Sequence, residues 1–231
     1  MPRNNRPGRP RDHGIADATT PRRPSSGRRQ DATAPGHRGE VRIIGGTWRG
    51  RKLQFPSADT LRPTPDRVRE TVFNWLQFDI AGRCCLDLFA GSGALGFEAL
   101  SRGAAEVVFV ERDPRVAEAI GAALHTLRCE RAQVATQDAF AYLRQATPRP
   151  FDLVFLDPPY DERWLGRACT ALESGGWLAP RAWVYLEDAA ANGIPALPEG
   201  WTLLRSKKAG DVGYHLARRG AAPEPTTTRN S

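Results

Sequence analysis

Short apolar runs alternate with amphipathic segments along most of this chain, from about residue 83 onward. Continuous apolar runs predict strands, and apolar positions that recur every three or four residues predict helices. The predicted strands are 84–89, 106–111, 133–136, 151–156 and 183–187, and the predicted helices are 94–102, 114–127, 139–145 and 163–172. Two alternating stretches, 201–207 and 212–216, predict a final antiparallel pair. The pattern therefore predicts an α/β fold, with a mostly parallel sheet, an antiparallel C-terminal strand pair and helices on both faces.

The segment before residue 83 has a different pattern, which predicts a small β-hairpin followed by a helix. The hairpin consists of a strand at 41–44, a turn at 45–47 and a returning strand at 51–55. Pro65 suits the start of a helix over 66–76. The face of this helix opposite its apolar positions carries Arg67 and Arg69.

The two ends of the chain differ in composition from the part between them. Residues 1–39 are rich in Pro, Gly, Arg and Ser, and they cannot bury enough apolar surface to offset the entropy of ordering. They hold nine Arg and three Asp, so +6 of the chain's net charge of +7 lies there. We therefore expect a disordered Arg-rich tail at 1–39, a hairpin and helix at 40–82, a sheet domain at 83–219 and a disordered tail at 220–231.

The composition disfavours several classes of protein. No apolar run approaches the ~20 residues that cross a bilayer, and no apolar stretch follows the basic N-terminus as in a secretory signal. We therefore expect a cytoplasmic protein with no membrane partner. The four cysteines lack the spacing of zinc ligands, so we expect reduced core thiols and no metal.

A glycine-rich turn follows the first strand of the predicted sheet. Gly91, Gly93 and Gly96 have the G-x-G-x-x-G spacing between a strand and a helix, which lets a ligand approach the backbone. Glu111 ends the next strand, where a carboxylate can accept both ribose hydroxyls of a nucleoside. These features fit NAD and S-adenosylmethionine equally. Asp87 would repel a pyrophosphate but attract a cationic sulfonium amino acid, which favours S-adenosylmethionine.

Asp138 follows the third predicted strand and has two plausible roles. It can accept a hydrogen bond from the adenine amino group of the cofactor, or it can cap the helix that follows. The two roles are compatible, because a carboxylate has two oxygens.

The fourth predicted strand ends in Asp157-Pro158-Pro159-Tyr160. The amino group of a nucleic-acid base is a poor nucleophile, because its lone pair is delocalised into the ring. The Asp157 carboxylate and the Pro158 carbonyl can accept its two N–H bonds and steer the lone pair, and Tyr160 can stack on the base. At the carboxyl edge of a nucleoside-binding sheet, this corner predicts transfer of a methyl group to a base amino group.

These motifs resemble those of class I S-adenosylmethionine-dependent methyltransferases, whose sheet is Rossmann-like. Three segments narrow the resemblance to the RsmD family, the bacterial 16S rRNA guanine-N2-methyltransferases: 42–53, 61–70 and 86–96. The resemblance implies a hairpin over the catalytic domain, and a substrate that is 16S rRNA in the small ribosomal subunit or its assembly intermediate. We expect a monomer that binds S-adenosylmethionine through Asp87, Phe89, Ala90, Gly91, Ser92, Gly93, Glu111, Arg112, Asp138 and Ala139.

A basic patch precedes the catalytic motifs, and an RNA substrate would explain it. Its members are Arg42, Arg49, Arg51, Lys52, Arg62, Arg67 and Arg69. Alternatives remain open from the residues alone: an amino-methyltransferase acting on adenine N6 or guanine N2 in DNA or another RNA, a non-catalytic RNA-binding protein on the same fold, and an NAD-dependent oxidoreductase. Trp48 is as well suited to covering the core as to stacking on a base.

Overall fold

A seven-stranded sheet with helices on both faces forms the centre of the fold. The computed structural model describes residues 38–56, 64–159 and 164–220. Its strands are β1 (Arg38–Arg42), β2 (Lys52–Pro56), β3 (Cys84–Asp87), β4 (Glu106–Glu111), β5 (Ala132–Thr136), β6 (Phe151–Leu156), β7 (Leu178–Ala189), β8 (Trp201–Ala209) and β9 (Val212–Arg219). Its helices are α1 (Asp66–Trp75), α2 (Ala94–Ser101), α3 (Pro114–Thr126), α4 (Ala139–Gln145) and α5 (Trp164–Ser174), and a 3-10 turn covers Ala190–Asn192.

The order of strands across the large sheet is β5-β4-β3-β6-β7-β9-β8, while β1 and β2 pair separately as an antiparallel hairpin. The strands from β5 to β7 are parallel, whereas β9 is antiparallel to both β7 and β8. The predicted α/β class, the C-terminal antiparallel pair and the N-terminal hairpin are therefore confirmed. The chain order reverses between β3 and β6, and open α/β sheets bind ligands beyond the carboxyl ends of the strands at such a point.

Alternation of side chains along the strands divides the core into two layers. Cys85, Phe155 and Tyr185 belong to the layer that contains α1, α2 and α3. The adjacent residues Leu86 and Val154 belong to the layer that contains α4 and α5. Both faces of the central strands are buried, which is why those strands read as continuous apolar runs rather than as alternating ones.

Strand β7 is longer than the predicted 183–187, and tertiary pairing explains the extension. Leu178 pairs with Phe151 of β6 at one end, and Ala189 pairs with Val212 of β9 at the other. Pairing on both sides keeps the backbone extended beyond the apolar stretch that the sequence reveals.

The hairpin is attached to α2 through the buried carboxylate of Glu98. Glu98 accepts hydrogen bonds from the backbone N–H groups of Ile44 and Gly45, both at 2.8 Å. The guanidinium of Arg102 donates to the same carboxylate at 2.7 Å. Because Glu98 is fully buried, these donors replace the water that its charge would otherwise need.

Arg69 is buried as well, and this corrects the prediction that it faces RNA phosphates. Its side chain is 1% exposed. It donates to Asp66 Oδ1 at 2.6 Å and to the carbonyl of Arg42 at 3.0 Å, and its Nη1 lies 3.7 Å from Glu98 Oε2. Arg69 lies three and four residues before the buried Val72 and Phe73, so helical spacing places it on the buried face of α1. The Glu98 carboxylate lies beside it there.

None of the described helices is long and apolar enough to span a bilayer. Within the described ranges, no group of three or more His, Cys, Asp or Glu side chains is arranged to hold a metal ion.

Candidate active site

Three acidic side chains lie where β3, β6 and β7 reach the same edge of the sheet: Asp87, Asp157 and Glu187. Asp87 pairs with Phe155, and Leu156 pairs with Leu186, so Asp157 and Glu187 directly follow paired positions on adjacent parallel strands. Period-two alternation places all three acids on the face that carries α1, α2 and α3. Three acidic side chains therefore lie on one face of the sheet at its switch point.

Asp87 is 2% exposed and accepts a hydrogen bond from the backbone N–H of Gly96 at 3.0 Å. Burial, together with the negative charge of Glu111, raises its pKa to about 7, and the Gly96 bond opposes that rise. Near neutral pH the carboxyl is therefore divided between its protonated and ionised forms. A cation placed beside it would favour the ionised form, so Asp87 is suited to a positively charged ligand.

The glycine turn and the first turn of α2 bring backbone close to the Asp87 carboxylate, which Gly96 contacts. Gly93 precedes α2 with a φ of 76°, a left-handed conformation that disfavours other residues. At Gly96 an added Cβ would lie 2.2 Å from the ring of Phe109, so glycine allows α2 to approach β4 closely. Ala90 and Ser92 are buried within the same turn.

Glu111 ends β4 and faces the glycine turn. Its Oε2 accepts from the backbone N–H of Gly91, and its Oε1 accepts from that of Asp113, both at 2.8 Å. These two bonds hold the carboxylate in one orientation, and each oxygen retains a second lone pair for a ligand hydroxyl. Arg112, the next residue, is exposed.

Asp138 is the N-cap of α4, one of the two roles that the sequence predicts for it. Its Oδ1 accepts from the backbone N–H groups of Phe140 and Ala141, both at 3.0 Å. The cap uses only one of the two oxygens, which leaves Oδ2 suited to an adenine amino group. Ala139 is buried behind the cap. Phe89 packs edge-on against Phe140 with ring centroids 6.3 Å apart, which adds an apolar wall.

Asp157 begins the corner after β6, and its carboxylate is held by Thr64. The Thr64 hydroxyl donates to Asp157 Oδ2 at 3.0 Å from the loop before α1. Burial raises the pKa of Asp157 well above its usual range, the charges of Glu187 and Asp87 raise it further, and the Thr64 bond lowers it. Pro158 is buried and Pro159 is exposed, while Tyr160 lies outside the described residues.

Five of the seven residues of the predicted basic patch are exposed. Its exposed members are Arg42, Arg49, Arg51, Lys52 and Arg67. Lys52 is paired with Glu40 at 2.9 Å. Arg69 is buried, and Arg62 lies outside the described residues.

The hairpin turn lies away from the glycine turn. The backbone N–H of Thr47 donates to the carbonyl of Ser101, and that of Trp48 donates to the Ser101 hydroxyl, at the C-terminal end of α2. A helix of this length spans about 12 Å, so the backbone of Thr47 and Trp48 lies roughly that far from the start of α2. Trp48 packs against the core, and this supports its role as a cover.

Sequence reasoning missed two residues of this site. Glu187 is the first acid after the apolar run of a predicted strand, and that position is the signal that could have revealed it. Thr64 gives no such signal, because its contact with Asp157 spans 93 residues of sequence.

Comparison with known proteins identifies relatives that match most of this chain. A family model described as Conserved hypothetical protein 95 matches residues 41–218. The chain is 48% identical over 186 residues to Ribosomal RNA small subunit methyltransferase D of Escherichia coli (strain K12), which covers 80% of this chain and 93% of that protein. A protein of the same name from Haemophilus influenzae is 48% identical over 185 residues, covering 79% and 95%. The solved structure of the Escherichia coli protein yhhF has a TM-score of 0.75 and 46% identity, covering 80% of this chain and 100% of that one.

Proposed function

Since this chain belongs to the RsmD family, which the Conserved hypothetical protein 95 model describes, we propose that it methylates the exocyclic N2 amino group of a guanine in 16S rRNA. Membership of this family shows that the protein is a methyltransferase. The observation that carries the proposal is Asp157, partly buried and hydrogen-bonded to Thr64 at the switch point of the sheet. Methylation of an amino group held by Asp157 needs a methyl donor and no other cofactor.

The residues around the glycine turn fit S-adenosylmethionine as the methyl donor. Asp87 can receive the positive charge of its methionyl part, because a nearby cation stabilises the ionised form of a buried carboxyl. Glu111 can accept the ribose hydroxyls, and Oδ2 of Asp138 can accept the adenine amino group. When bound, S-adenosylmethionine supplies an electrophilic methyl group and leaves as a neutral thioether.

Asp157 positions the amino group and takes up its proton. Its carboxylate accepts one N–H of the guanine N2 group, and the Pro158 carbonyl accepts the other, which directs the lone pair toward the methyl carbon. As the new N–C bond forms and the old C–S bond breaks, the nitrogen becomes acidic and gives one proton to Asp157. The raised pKa of Asp157 makes it a better acceptor than an ordinary carboxylate. Tyr160 is proposed to stack on the base.

The substrate is proposed to be the small ribosomal subunit or an assembly intermediate. The support is the family resemblance, together with the exposed arginines of the hairpin, which are suited to phosphates. An amino-methyltransferase acting on DNA or another RNA uses the same Asp157 chemistry and is the main alternative.

The test is transfer of a radiolabelled methyl group from S-adenosylmethionine to small subunits that lack the modification, followed by nucleoside analysis. We expect label in N2-methylguanosine of 16S rRNA. Asp157→Asn should lower the rate by at least about a hundredfold and leave cofactor binding within a few-fold, because the amide can still accept an N–H bond but cannot take up the proton that the nitrogen releases. Label in N6-methyladenosine or in DNA alone would reject the substrate. Full activity of the Asn variant would reject the mechanism.

A further inference from the structure

Glu187 is a buried carboxylate beside the partly buried Asp157, and the proposed chemistry does not use it. It is 2% exposed and lies on β7, next to the strand that presents Asp157. Neighbouring strands are about 4.8 Å apart, so carboxylates that follow paired positions can reach adjacent atoms of one ligand. The charge of Glu187 also raises the pKa of Asp157.

The surroundings of Glu187 hold its carboxylate in a fixed orientation. The hydroxyl of Tyr185 donates to Oε2 at 2.6 Å. Tyr214 of β9 is the strand-pairing partner of Glu187. The Tyr214 ring stacks on Trp75 of α1 with the ring centroids 5.5 Å apart. A carboxylate has about four acceptor positions, so Glu187 can receive a donor from a substrate while keeping its bond to Tyr185.

Each of the two adjacent carboxylates can accept a hydrogen bond from one ligand that reaches both of them. Among the described residues they do not form part of a metal-binding group. The Watson–Crick edge of guanine offers donors in a matching arrangement, because its N1–H lies next to its N2 amino group. At the same position adenine and 2-aminopurine carry an N1 lone pair, which an ionised carboxylate repels.

We propose that Glu187 accepts the N1–H of the target guanine while Asp157 accepts from its N2 amino group, so that Glu187 selects guanine over purines without an N1–H. This inference rests on the proposed N2 methylation of guanine. It supplies the discrimination that the Asp157-Pro158-Pro159 corner lacks, because the corner alone accepts any base amino group. Glu187 is therefore a specificity residue that contacts the substrate, and Tyr185 is a positioning residue that acts through it.

The test replaces the target guanine by 2-aminopurine in small subunits reconstituted with site-specifically ligated rRNA. The target is first located by the label of the wild-type protein. 2-Aminopurine keeps the amino group at C2 but has no N1–H. We expect the wild-type protein to have a kcat/KM for guanine on the order of a hundredfold above that for 2-aminopurine, the size of one lost charge-assisted bond plus an unpaired carboxylate.

Glu187→Gln tests whether this preference comes from Glu187. The glutamine amide can donate to the N1 lone pair of 2-aminopurine, so we expect the preference for guanine to fall at least tenfold. Any part of the preference that comes from the missing O6 of 2-aminopurine persists in this variant. The matched control is Thr64→Val, which removes the hydrogen bond to Asp157 and keeps the bond between Tyr185 and Glu187. It should slow both substrates together and leave their ratio unchanged.

The outcomes separate this inference from the proposed function. Absence of N2-methylguanosine with the wild-type protein rejects the proposed function itself. Formation of N2-methylguanosine with equal rates on guanine and 2-aminopurine overturns only the role of Glu187, and it does so without any variant. A Glu187→Gln protein that slows both substrates but keeps their ratio overturns it too, since that is what a structural role would produce.

Discussion

Asp157 and Asp87 show how removal from water and nearby negative charge prepare a carboxylate for two different tasks. Both are raised in pKa mainly by loss of water, and each has one neutral donor that opposes the rise, Thr64 for Asp157 and the Gly96 N–H for Asp87. Asp157 faces the position proposed for the base, where a good proton acceptor is needed. Asp87 faces the position proposed for the cationic cofactor, where a charge can be restored by the ligand.

Removing the hydroxyl of Thr64 should shift the pH dependence of methyl transfer. Thr64 lowers the pKa of Asp157, so Thr64→Val raises that pKa. Because the ionised form is required, activity is then lost at a higher pH as the solution is acidified. We expect kcat/KM at pH 6.5 to fall on the order of tenfold, with recovery at high pH. Thr64→Ser should retain the wild-type profile, and identical profiles for all three proteins would contradict the role of this bond.

Binding of S-adenosylmethionine should be linked to release of a proton from Asp87. The pKa of Asp87 is about 7 without ligand, and a bound cation lowers it. Affinity should therefore rise with pH up to about 7 and level off above it. Calorimetry in two buffers of different ionisation enthalpy measures the proton count. Asp87→Asn should bind more weakly and show no such release, and equal release from both proteins would assign the proton elsewhere.

At the scale of elements, the hairpin, α1 and α2 are joined by buried charges as well as by apolar packing. Glu98 of α2 receives backbone donors from the hairpin, and Arg69 of α1 lies against the same carboxylate. Arg69 shares the buried face of α1 with Val72 and Phe73, and this network explains how a charged side chain is accommodated there. The loop before α1 also carries Thr64, whose carbonyl accepts from Arg69 at 3.3 Å, so the network extends to the acid at the site.

Glu98→Ala should destabilise the fold by about 3–5 kcal/mol, because two backbone N–H groups and Arg102 lose their acceptor and Arg69 loses a neighbouring negative charge. Urea denaturation gives the free energy of unfolding. The control is Glu40→Ala, which breaks the exposed ion pair with Lys52 and should cost less than about 1 kcal/mol. Equal losses in the two variants would show that the Glu98 contacts contribute little.

The elements were predictable where one physical rule acts alone. Strands β4 and β6 and helix α4 begin and end where their patterns predict, because each is bounded by a change in periodicity or a capping residue. Strand β7 was underestimated, since its ends are extended by partners 27 residues earlier and 23 residues later in the chain, at Phe151 and Val212. Pattern reasoning along a single chain does not include those pairings.

At the scale of the whole molecule, most of the net charge lies at the N-terminal end of the sequence, and the described part presents local basic surfaces instead. Residues 1–39 carry +6 of the total of +7. Arg49 and Arg51 are exposed at the hairpin turn, at the opposite end of α2 from the glycine turn. An rRNA that reaches both ends of α2 would place its target base and its neighbouring phosphates on different parts of the protein.

Arg49→Ala combined with Arg51→Ala should weaken RNA binding chiefly at low salt. Affinity falls as salt rises, and each lost phosphate contact makes the negative slope of log affinity against log salt shallower by about 0.7–0.9. The slope of the double variant should therefore be shallower by about 1.5. Binding of a 16S rRNA fragment at several salt concentrations measures the slope. Glu118→Ala, an exposed change on α3, serves as a control with no expected loss. An unchanged slope in the double variant would remove these arginines from the interface.

The sequence by itself determined the order of strands and helices, the glycine turn, and the positions of Asp87, Glu111 and Asp157 at strand ends. Periodicity and turn chemistry act over a few residues, so a linear pattern contains them. Only the tertiary structure decided that Glu187 lies beside Asp157, that Thr64 holds the Asp157 carboxylate, and that Arg69 points inward to Glu98. These contacts join residues far apart in the chain, and burial then determines whether a charge meets water or another side chain.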